Sequence, residues 1–391
     1  GYKSCYVLEA GSYGIYIGTD VRNAVLAGAF EVKETLITQQ LEEAMAPVRE
    51  FTRFRPKAEG KGYRLEYEAV PLRTITPLDK IAKKRPADIP YSGDKGYQLG
   101  DVYENRISME TFLAQLSDED LACIVRGEGM CSPKVTPGTA AAFGGVTERL
   151  KKFGIPVGCC ADGPSGIRMD CGTRAFSLPN GTALGCTYNM PLVEALYQME
   201  GMELRKNKID TLLGPGINIH RNPLNGRNFE YISEDPYLTG TMAAAQVKGM
   251  GYAKVTGTIK HYTANNQEFH RRDSNSVMSE RALREIYLKG YEIAVKDGGA
   301  YSIMTTYGAV NGILTAGNYD LVTAILRDEW GFDGIVMTDW WAAMNEEGQE
   351  PSVQNTGIMV RAQNDLFIVT SDSASNTAND NSMVSIADGK T

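Results

Sequence analysis

Polar and aromatic side chains that could do chemistry follow directly after several segments that the sequence predicts to be buried strands. Carboxylates accept hydrogen bonds from vicinal hydroxyl groups, Lys and Arg donate to them, and Trp packs on the apolar face of a sugar ring. This set of side chains therefore suits a site for a sugar. The candidates at strand ends are Asp162, Lys260, His261, Tyr307, Asp339, Trp340 and Trp341, with Lys260, Arg168 and Arg227 as candidate cationic partners of the carboxylates.

Each of these residues, taken alone, also has a purely structural interpretation. A single Asp at a strand end is more often the N-cap of a helix, and a Trp pair usually belongs to a core or an interface. His261, His220 and His270 lack the H-E-x-x-H spacing of a zinc site, and no cysteine pair has C-x-x-C spacing. The sequence therefore predicts no metal site. The constellation, and not any one member, favours an active site.

The elements that must position these residues alternate between strand and helix. From about residue 107 onward, strand-like segments such as residues 255–259 alternate with helical stripes such as residues 283–294. Such alternation over roughly 270 residues predicts an α/β fold with a parallel sheet covered by helices. The length fits a (β/α)8 barrel of TIM type, with an open doubly wound sheet as the alternative. On a barrel, all strand ends that carry candidates would open on one face.

The N-terminal part of the chain has a different pattern. Residues 1–35 alternate apolar and polar side chains on both sides of a turn, which predicts one β-hairpin. Because an isolated hairpin is at best marginally stable, we expect these residues to be the end of a β-sandwich whose other strands lie outside the chain. Residues 36–105 are predicted to form a helix near 35–48 and then a wrapping linker. Residues 106–391 are predicted to form the barrel, with a polar C-terminal tail from 371 that is a loop or a frayed end.

Composition excludes several classes of partner. The 391 residues carry a net charge of −8 without a Lys/Arg block, so nucleic acid and anionic membrane are not expected partners. No window approaches the roughly 20 apolar residues of a membrane span. The seven cysteines are interpreted as free thiols, and no signal-peptide pattern is present, so we expect a cytoplasmic protein. A homo-oligomer stays open.

Four segments resemble the motifs of family-3 glycoside hydrolases. Residues 161–168 (ADGPSGIR) resemble the D-G-P-x-G-x-R segment. Residues 225–230 (NGRNFE), followed by residues 233–236 (SEDP), are similar to a second family motif. Residues 260–268 (KHYTANNQE) look like the K-H-[FY] segment in its β-glucosidase form, and residues 331–340 (GFDGIVMTDW) resemble the nucleophile signature. These motifs follow the family's order, and together they are highly specific.

The first 35 residues also look like the end of the family's fibronectin-type-III domain. That domain precedes the barrel in a subset of bacterial β-glucosidases whose domain order is reversed. The resemblance therefore agrees with the expectation of a partial sandwich, and it implies a bacterial, cytoplasmic enzyme of this reversed order.

The resemblance implies a retaining, exo-acting β-glucosidase that works by double displacement through a covalent glycosyl-enzyme. Cellobiose-like oligosaccharides or aryl glucosides would be the substrates, and no cofactor or metal is implied. The β-N-acetylglucosaminidase branch is disfavoured, because residues 260–266 do not match its K-H-F-P-G-H-G pattern. The resemblance makes Asp339 the catalytic nucleophile and assigns substrate binding or support of the site to Asp162, Arg168, Arg227, Lys260, His261, Tyr307 and Trp340.

The second catalytic carboxyl is the point at which the chain departs from the family's pattern. In the reversed order, the α/β-sandwich domain that carries the acid/base Glu would precede Gly1. Glu230, Glu234 and Glu268 do not occupy its motif position. We therefore expect a companion chain or fragment that supplies it. The alternatives are a β-xylosidase on the same scaffold, which residues 265–268 weakly disfavour, and a sugar-binding subunit that is inactive alone.

Overall fold

The computed structural model describes residues 3–60, 62–389 and 391. The chain divides into two compact units, Gly1–Ala44 and Met45–Thr391, and each is described by itself.

The first unit consists of two antiparallel strand pairs. Strands β2 (Gly11–Ile17) and β3 (Val25–Val32) form the predicted hairpin, whose turn is fixed by backbone N–H groups that donate to the Asp20 carboxylate. The helix predicted near 35–48 is wrong. Its first residues form strand β4 (Leu36–Gln40), which pairs with β1 (Cys5–Leu8), because β-branched side chains there suit a paired strand.

A hairpin within the second unit corrects the prediction of a linker over residues 36–105. Strands β5 (Thr52–Glu59) and β6 (Gly62–Ala69) pair antiparallel over their full length. One face of this amphipathic hairpin is charged and carries ion pairs such as Arg53 with Glu68. The other face is apolar and open to solvent, and its Tyr63 side chain is 79% exposed.

Eight strands of the second unit, counted over the described residues, form a nearly closed barrel of TIM type. The edge strands are joined by a parallel bridge between Met337 and Leu366. The strands of this unit after the hairpin are β7 (Arg126–Glu128), β8 (Ala141–Gly144), β9 (Val157–Asp162), β10 (Thr211–Leu213), β11 (Thr256–Tyr262), β12 (Asn275–Ser276), β13 (Ser302–Thr305), β14 (Ala309–Val310), β15 (Ile313–Leu314), β16 (Ile335–Met337) and β17 (Phe367–Thr370). Around the barrel the order is β16, β13, β11, β10, β9, β8, β7, β17, and a separate small sheet holds β12, β14 and β15.

One barrel strand departs from the predicted (β/α)8 pattern. Strand β8 runs antiparallel to both β7 and β9, so these three strands form a meander and not two βαβ units. The connection between β7 and β8, residues 129–140, contains no helix, whereas parallel neighbouring strands are usually joined by a crossover helix.

Helices cover the barrel and complete the second unit. Several start at side-chain caps, as at Ser117, whose hydroxyl accepts from the Asp120 N–H in the predicted S-x-x-D start. Segments Leu283–Tyr287 and Asp320–Glu329 are π-helical, and Thr315–Gly317 is a 3-10 turn. The α-helices are α1 (Pro77–Lys84), α2 (Leu99–Tyr103), α3 (Met109–Leu113), α4 (Asp118–Val125), α5 (Glu148–Lys152), α6 (Gly181–Gly185), α7 (Met190–Lys206), α8 (Pro236–Gly251), α9 (Glu280–Ala282), α10 (Lys289–Lys296), α11 (Thr356–Arg361) and α12 (Ser382–Ala387).

The tail at residues 371–391, predicted to be a loop or a frayed end, is anchored over the part that the structure describes. Helix α12 (Ser382–Ala387) lies within it, and Asp380 forms a buried ion pair with Arg126 of β7. Polar composition misled the prediction because these polar groups find partners in the barrel. No helix among the described residues has the length and apolar character needed to cross a membrane.

Helices α7 and α8 pack very closely, and the close approach depends on glycine. A Cβ at Gly201 would lie 3.0 Å from the Met250 backbone, and one at Gly249 would lie 2.4 Å from the Glu194 carbonyl oxygen.

Glu200 of α7 is fully buried, and neither of its carboxyl oxygens has a hydrogen-bond partner among the described residues. Burial, assisted by the charge of Glu203, raises the pKa of Glu200 to about 8.

Candidate active site

A cavity of about 320 Å³ opens at the carboxyl ends of the barrel strands. Asp162 is the last residue of β9, and Asp339 follows β16 by two residues. Trp341 does not line this cavity, but the other eight side chains proposed from the sequence as site residues do, so the structure brings these eight together. They are Asp162, Arg168, Arg227, Lys260, His261, Tyr307, Asp339 and Trp340, and the cavity is also lined by Met130, Gly138, Ala140, Asp170, Leu213, Arg271 and Met304.

Asp339 is held in a defined orientation at the cavity wall. It is 8% exposed, the Trp340 N–H donates to its Oδ1 at 2.8 Å, and the Tyr307 hydroxyl donates to its carboxylate. The His261 Nε2 lies 3.8 Å from its Oδ2. Burial raises the pKa of Asp339, while the Trp340 N–H and the nearby Lys260 charge oppose the increase. The carboxylate therefore has a fixed orientation, and the Trp340 N–H and the Lys260 charge favour its ionised form against the effect of burial.

Asp162 of β9 and Lys260 of β11 form a pair in the cavity wall across the intervening strand β10. The Lys260 Nζ donates to Asp162 Oδ1 at 2.9 Å, and the Lys260 side chain is buried. The Arg168 Nη1 lies 3.7 Å from Asp162 Oδ2, and the Arg168 Nε donates to Asp170 Oδ1 at 2.8 Å. Burial opposes ionisation of Asp162, but the charge and hydrogen bond of Lys260 outweigh it and lower the pKa of Asp162. The pair therefore offers an ionised acceptor beside a donor, which suits vicinal hydroxyl groups.

His261 is a neutral imidazole in this setting. Burial lowers the pKa of His261 far below its ordinary value, and the charges of Arg227, Lys260 and Arg271 act in the same direction. Its Nε2 is 3.1 Å from an Arg227 guanidinium nitrogen, and its Nδ1 is 3.2 Å from the Tyr231 hydroxyl. The close approach of Nε2 to the Asp339 carboxylate is therefore not an ion pair.

Several residues of the site were missed by reasoning from the sequence. Arg271 stacks on the Tyr307 ring with its guanidinium carbon 4.6 Å from the centroid, and it donates to Glu268 at 3.0 Å. Its charge, a few residues after the Lys260–His261 pair, was a usable signal. Met130 and Gly138 come from the β7–β8 connection, whose sequence carries no motif, so nothing pointed to them.

No group of three or more His, Cys, Asp or Glu side chains that could hold a metal ion occurs among the residues that the structure describes.

A reactive thiol is expected at the edge of the cavity. Cys171 is exposed and lies beside the cavity residue Gly138. A Cβ added to that glycine would be only 2.8 Å from the Cys171 Sγ. Hydrogen bonds with the Thr173 side chain and backbone lower the pKa of Cys171, whereas burial raises the pKa of Cys160. Iodoacetamide should therefore modify Cys171 with a rate midpoint below the ordinary thiol pKa of about 8.5.

Peptide mapping after timed alkylation across a pH series measures this rate for each cysteine. The exposed Cys131 is the internal comparison, and Cys171→Ser identifies the product. Equal rates at Cys171 and Cys131 below pH 8 would contradict the prediction.

Comparison with known proteins decides the family. Residues 93–384 match the Glycosyl hydrolase family 3 N terminal domain. The chain belongs to glycosyl hydrolase family 3. The family predicted from the four sequence motifs is confirmed.

Relatives in family 3 resemble the whole chain but are longer than it. A β-glucosidase of Ruminococcus albus is 55% identical over 390 residues, which is 100% of this chain and 40% of that protein. A β-glucosidase structure from Paenibacillus barengoltzii superimposes with a TM-score of 0.97 at 54% identity, covering 99% of this chain and 43% of that one. The structure of β-glucosidase 3B from Thermotoga neapolitana in complex with α-D-glucose superimposes with a TM-score of 0.63 at 37% identity. The match covers 72% of this chain and 39% of that one. The chain spans about two fifths of the length of these relatives.

Proposed function

We propose that this chain carries the nucleophile of a retaining, exo-acting β-glucosidase that releases terminal non-reducing β-D-glucosyl residues. The observation that carries the proposal is the Asp339 carboxylate, held by the Tyr307 hydroxyl and the Trp340 N–H within the polar cavity. The β-glucosidase names of its relatives support glucose as the sugar. Substrates would be β-glucoside oligosaccharides or aryl glucosides.

The proposed mechanism follows from the groups around the cavity. Asp162 and Lys260 bind sugar hydroxyls as acceptor and donor, and Arg168 and Arg227 hold further hydroxyls. His261 supports the site by accepting from Arg227, and Trp340 packs against the ring. Asp339 attacks the anomeric carbon as the bond to the leaving oxygen breaks, which forms a glycosyl-enzyme through an oxocarbenium-like transition state. Water then attacks the same carbon and releases the sugar with retained configuration.

The proton for the leaving group is proposed to come from outside this chain. A general acid must be free to give up a proton near the glycosidic oxygen. Each other carboxylate at or near the cavity is engaged by a cation, which supports an acid/base Glu on a companion segment with an α/β-sandwich domain. The pairs are Asp162 with Lys260, Asp170 with Arg168, Glu230 with Arg227, and Glu268 with Arg271.

We also propose that residues 1–35 are the C-terminal part of a fibronectin-III-like β-sandwich, in the reversed domain order. The hairpin β2–β3 exposes apolar side chains such as Ile17 and Val25, which pair across the strands and are 65% and 68% exposed. Such a face is suited to packing against a second sheet. Limited proteolysis of the chain, compared with a form extended by the preceding segment, would test whether that segment protects the hairpin.

A covalent probe tests the proposed function without the missing acid. A 2-deoxy-2-fluoro-β-D-glucoside of 2,4-dinitrophenol needs little protonation to leave, and the fluorine destabilises the oxocarbenium-like state, so the glycosyl-enzyme should persist. We expect one added sugar by intact mass, located by peptide mapping at residues 334–341. The matching 2-fluoro xyloside measures the β-xylosidase alternative. Absence of a label with both sugars would contradict the proposal and favour a sugar-binding subunit.

The missing acid/base is tested by supplying a substitute. If no general base activates water, azide should speed the breakdown of the 2,4-dinitrophenyl glucoside intermediate and give β-glucosyl azide, because an anion needs no deprotonation. The product is identified by mass spectrometry. The opposite outcome is a breakdown rate of the intermediate that azide does not change, together with fast hydrolysis of alkyl glucosides. It would show that the acid/base lies within this chain.

A further inference from the structure

A buried network of polar side chains lies behind His261, on the side away from the cavity. The Tyr231 hydroxyl, 3.2 Å from His261 Nδ1, also accepts from the Asn265 amide at 2.8 Å. That amide donates in addition to Glu268 at 3.0 Å. Tyr231 is fully buried, and Asn265 is 5% exposed. Tyr231 lies between the two parts of the second family motif, and the mechanism proposed above gives it no role.

The hydrogen bond from Arg227 identifies which nitrogen of His261 is the acceptor, and so shows which nitrogen carries the ring proton. A guanidinium has only donors, so the nitrogen it meets at 3.1 Å, Nε2, must be the acceptor. The proton of the neutral ring is then on Nδ1, from which it is donated to the Tyr231 hydroxyl. A proton on Nε2 would instead face the Arg227 donors and could be donated to Asp339, whose Oδ2 lies 3.8 Å away.

We propose that Tyr231 is a positioning residue that holds His261 in the Nδ1–H tautomer and so keeps the imidazole from donating to the Asp339 carboxylate. The effect on rate rests on the proposed function, in which Asp339 attacks the sugar. With the Nε2 lone pair turned to Arg227, the guanidinium is oriented and the nucleophile retains its charge for the anomeric carbon. Asn265 supports Tyr231 by occupying the other acceptor site of its hydroxyl.

Charged groups face His261 from every side that the structure describes. Lys260 and Arg227 lie on its cavity side with Arg271, and Asp339 faces Nε2. Because the three cations oppose a second proton on the ring, the tautomer should persist as pH falls. Free imidazole has no such restraint and titrates near pH 6.5.

Nitrogen NMR of the chain labelled with ¹⁵N-histidine reads the tautomer directly. The chain has only three histidines, and His261→Asn assigns the signal. We expect the His261 ring to show a protonated Nδ1 and an unprotonated Nε2 between about pH 5.5 and 8. In Tyr231→Phe, which removes the acceptor for the Nδ1 proton, we expect a mixture of tautomers or the Nε2–H form.

Tyr291→Phe is the matched control, because its hydroxyl is equally buried and donates to the His261 backbone oxygen at 2.7 Å. It should leave the ring tautomer unchanged. If Tyr231→Phe fails to fold, Asn265→Ala provides the second variant, with a smaller shift in the same direction. The signals of His220 and His270 report whether each variant is folded.

The labelling rate with the 2-fluoro glucoside provides the second readout. Tyr231→Phe should lower the maximal rate about tenfold, a typical effect of disturbing a group that orients a reacting residue, while the half-saturating concentration changes little. A wild-type His261 that is Nε2–H or doubly protonated would overturn the inference. So would a Tyr231→Phe variant with unchanged tautomer and unchanged rate. Failure of the wild type to become labelled would count against the proposed function alone, since the NMR result needs no activity.

Discussion

Replacing Asp339 by Asn should abolish covalent labelling by the 2-fluoro glucoside, slowing it by about 10³-fold or more, as expected when the attacking group of a catalytic unit is removed. The amide keeps the shape of the side chain and can still accept from the Trp340 N–H, but it is a poor nucleophile. Intact mass over time measures the label. Sugar binding, followed by the fluorescence of the tryptophans, should persist, because Asp162 and Lys260 are unchanged.

Asp170→Asn is the matched control, since Asp170 also lines the cavity but is bound to Arg168. It should be labelled at a rate within a few-fold of the wild type. A label on the Asp339→Asn protein, or one mapped to another peptide in the wild type, would refute the assignment of the nucleophile.

The pH dependence of labelling gives a further check on Asp339. Burial raises the pKa of Asp339, so the fraction of reactive carboxylate should fall at a higher pH than for an ordinary Asp of about 3.9. The Tyr307 hydroxyl lowers this pKa by its hydrogen bond, so Tyr307→Phe should move the acid limb of the profile upward. An acid limb below that of an ordinary Asp would contradict the burial argument.

Replacing Glu200 by Met should raise the free energy of unfolding at pH 7 by about 3 kcal/mol. The pKa of Glu200 is about 8 in the fold and near 4.5 when exposed, so the buried carboxyl stays protonated while the unfolded chain ionises. The contribution of Glu200 to the free energy of unfolding is therefore most favourable below pH 4.5, and it decreases as pH rises toward 8. Methionine fills a similar volume and removes the titrating group together with its unpaired oxygens.

Urea denaturation at several pH values between about 5 and 8 measures both quantities. The slope of stability against pH in this window should become flatter in Glu200→Met. Glu194→Gln, on the same helix but only half-buried and bonded to Tyr252, should leave that slope unchanged. A Glu200→Met protein that is no more stable than wild type at pH 7 would contradict the account of this buried carboxyl.

The fold was predictable where periodicity and strand-end chemistry agreed. Strand β16 and its following Asp339 were evident, because a short apolar run ended in charge and aromatic residues. The hairpin β5–β6 was also legible, since apolar Phe54 and Ala58 alternate with charged Arg53 and Lys57 before a glycine turn. The prediction of a linker there is wrong because charged side chains on one face of a hairpin resemble the composition of irregular structure. The antiparallel direction of β8 could not be predicted, because strand direction depends on partners and leaves no periodic mark.

The candidate site was predictable in its members but not in its pairings. The motifs named seven of the eight side chains that meet at one cavity, and the strand-end pattern added Tyr307, because strand ends of a barrel share a face. Which groups bond to which depends on distances between strands that are far apart in sequence, such as Lys260 with Asp162. Tyr231 could not have been singled out, since its function depends on one ring nitrogen of His261.

The antiparallel β8 has a consequence for how the chain assembles. Strands β7 to β9 are near neighbours in sequence, so their meander can form early at small entropic cost, whereas β17 must find β7 across nearly the whole barrel. The proposed nucleophile lies on the other side of β17, because the backbone N–H groups of Thr338 and Trp341 donate to the carbonyl oxygens of Leu366 and Ile368 at 2.9 and 2.7 Å. Since β17 takes part in both seams, the backbone around Asp339 would be fully held only when β17 has paired on both sides, and we expect partly assembled molecules to lack the proposed nucleophile in its final position.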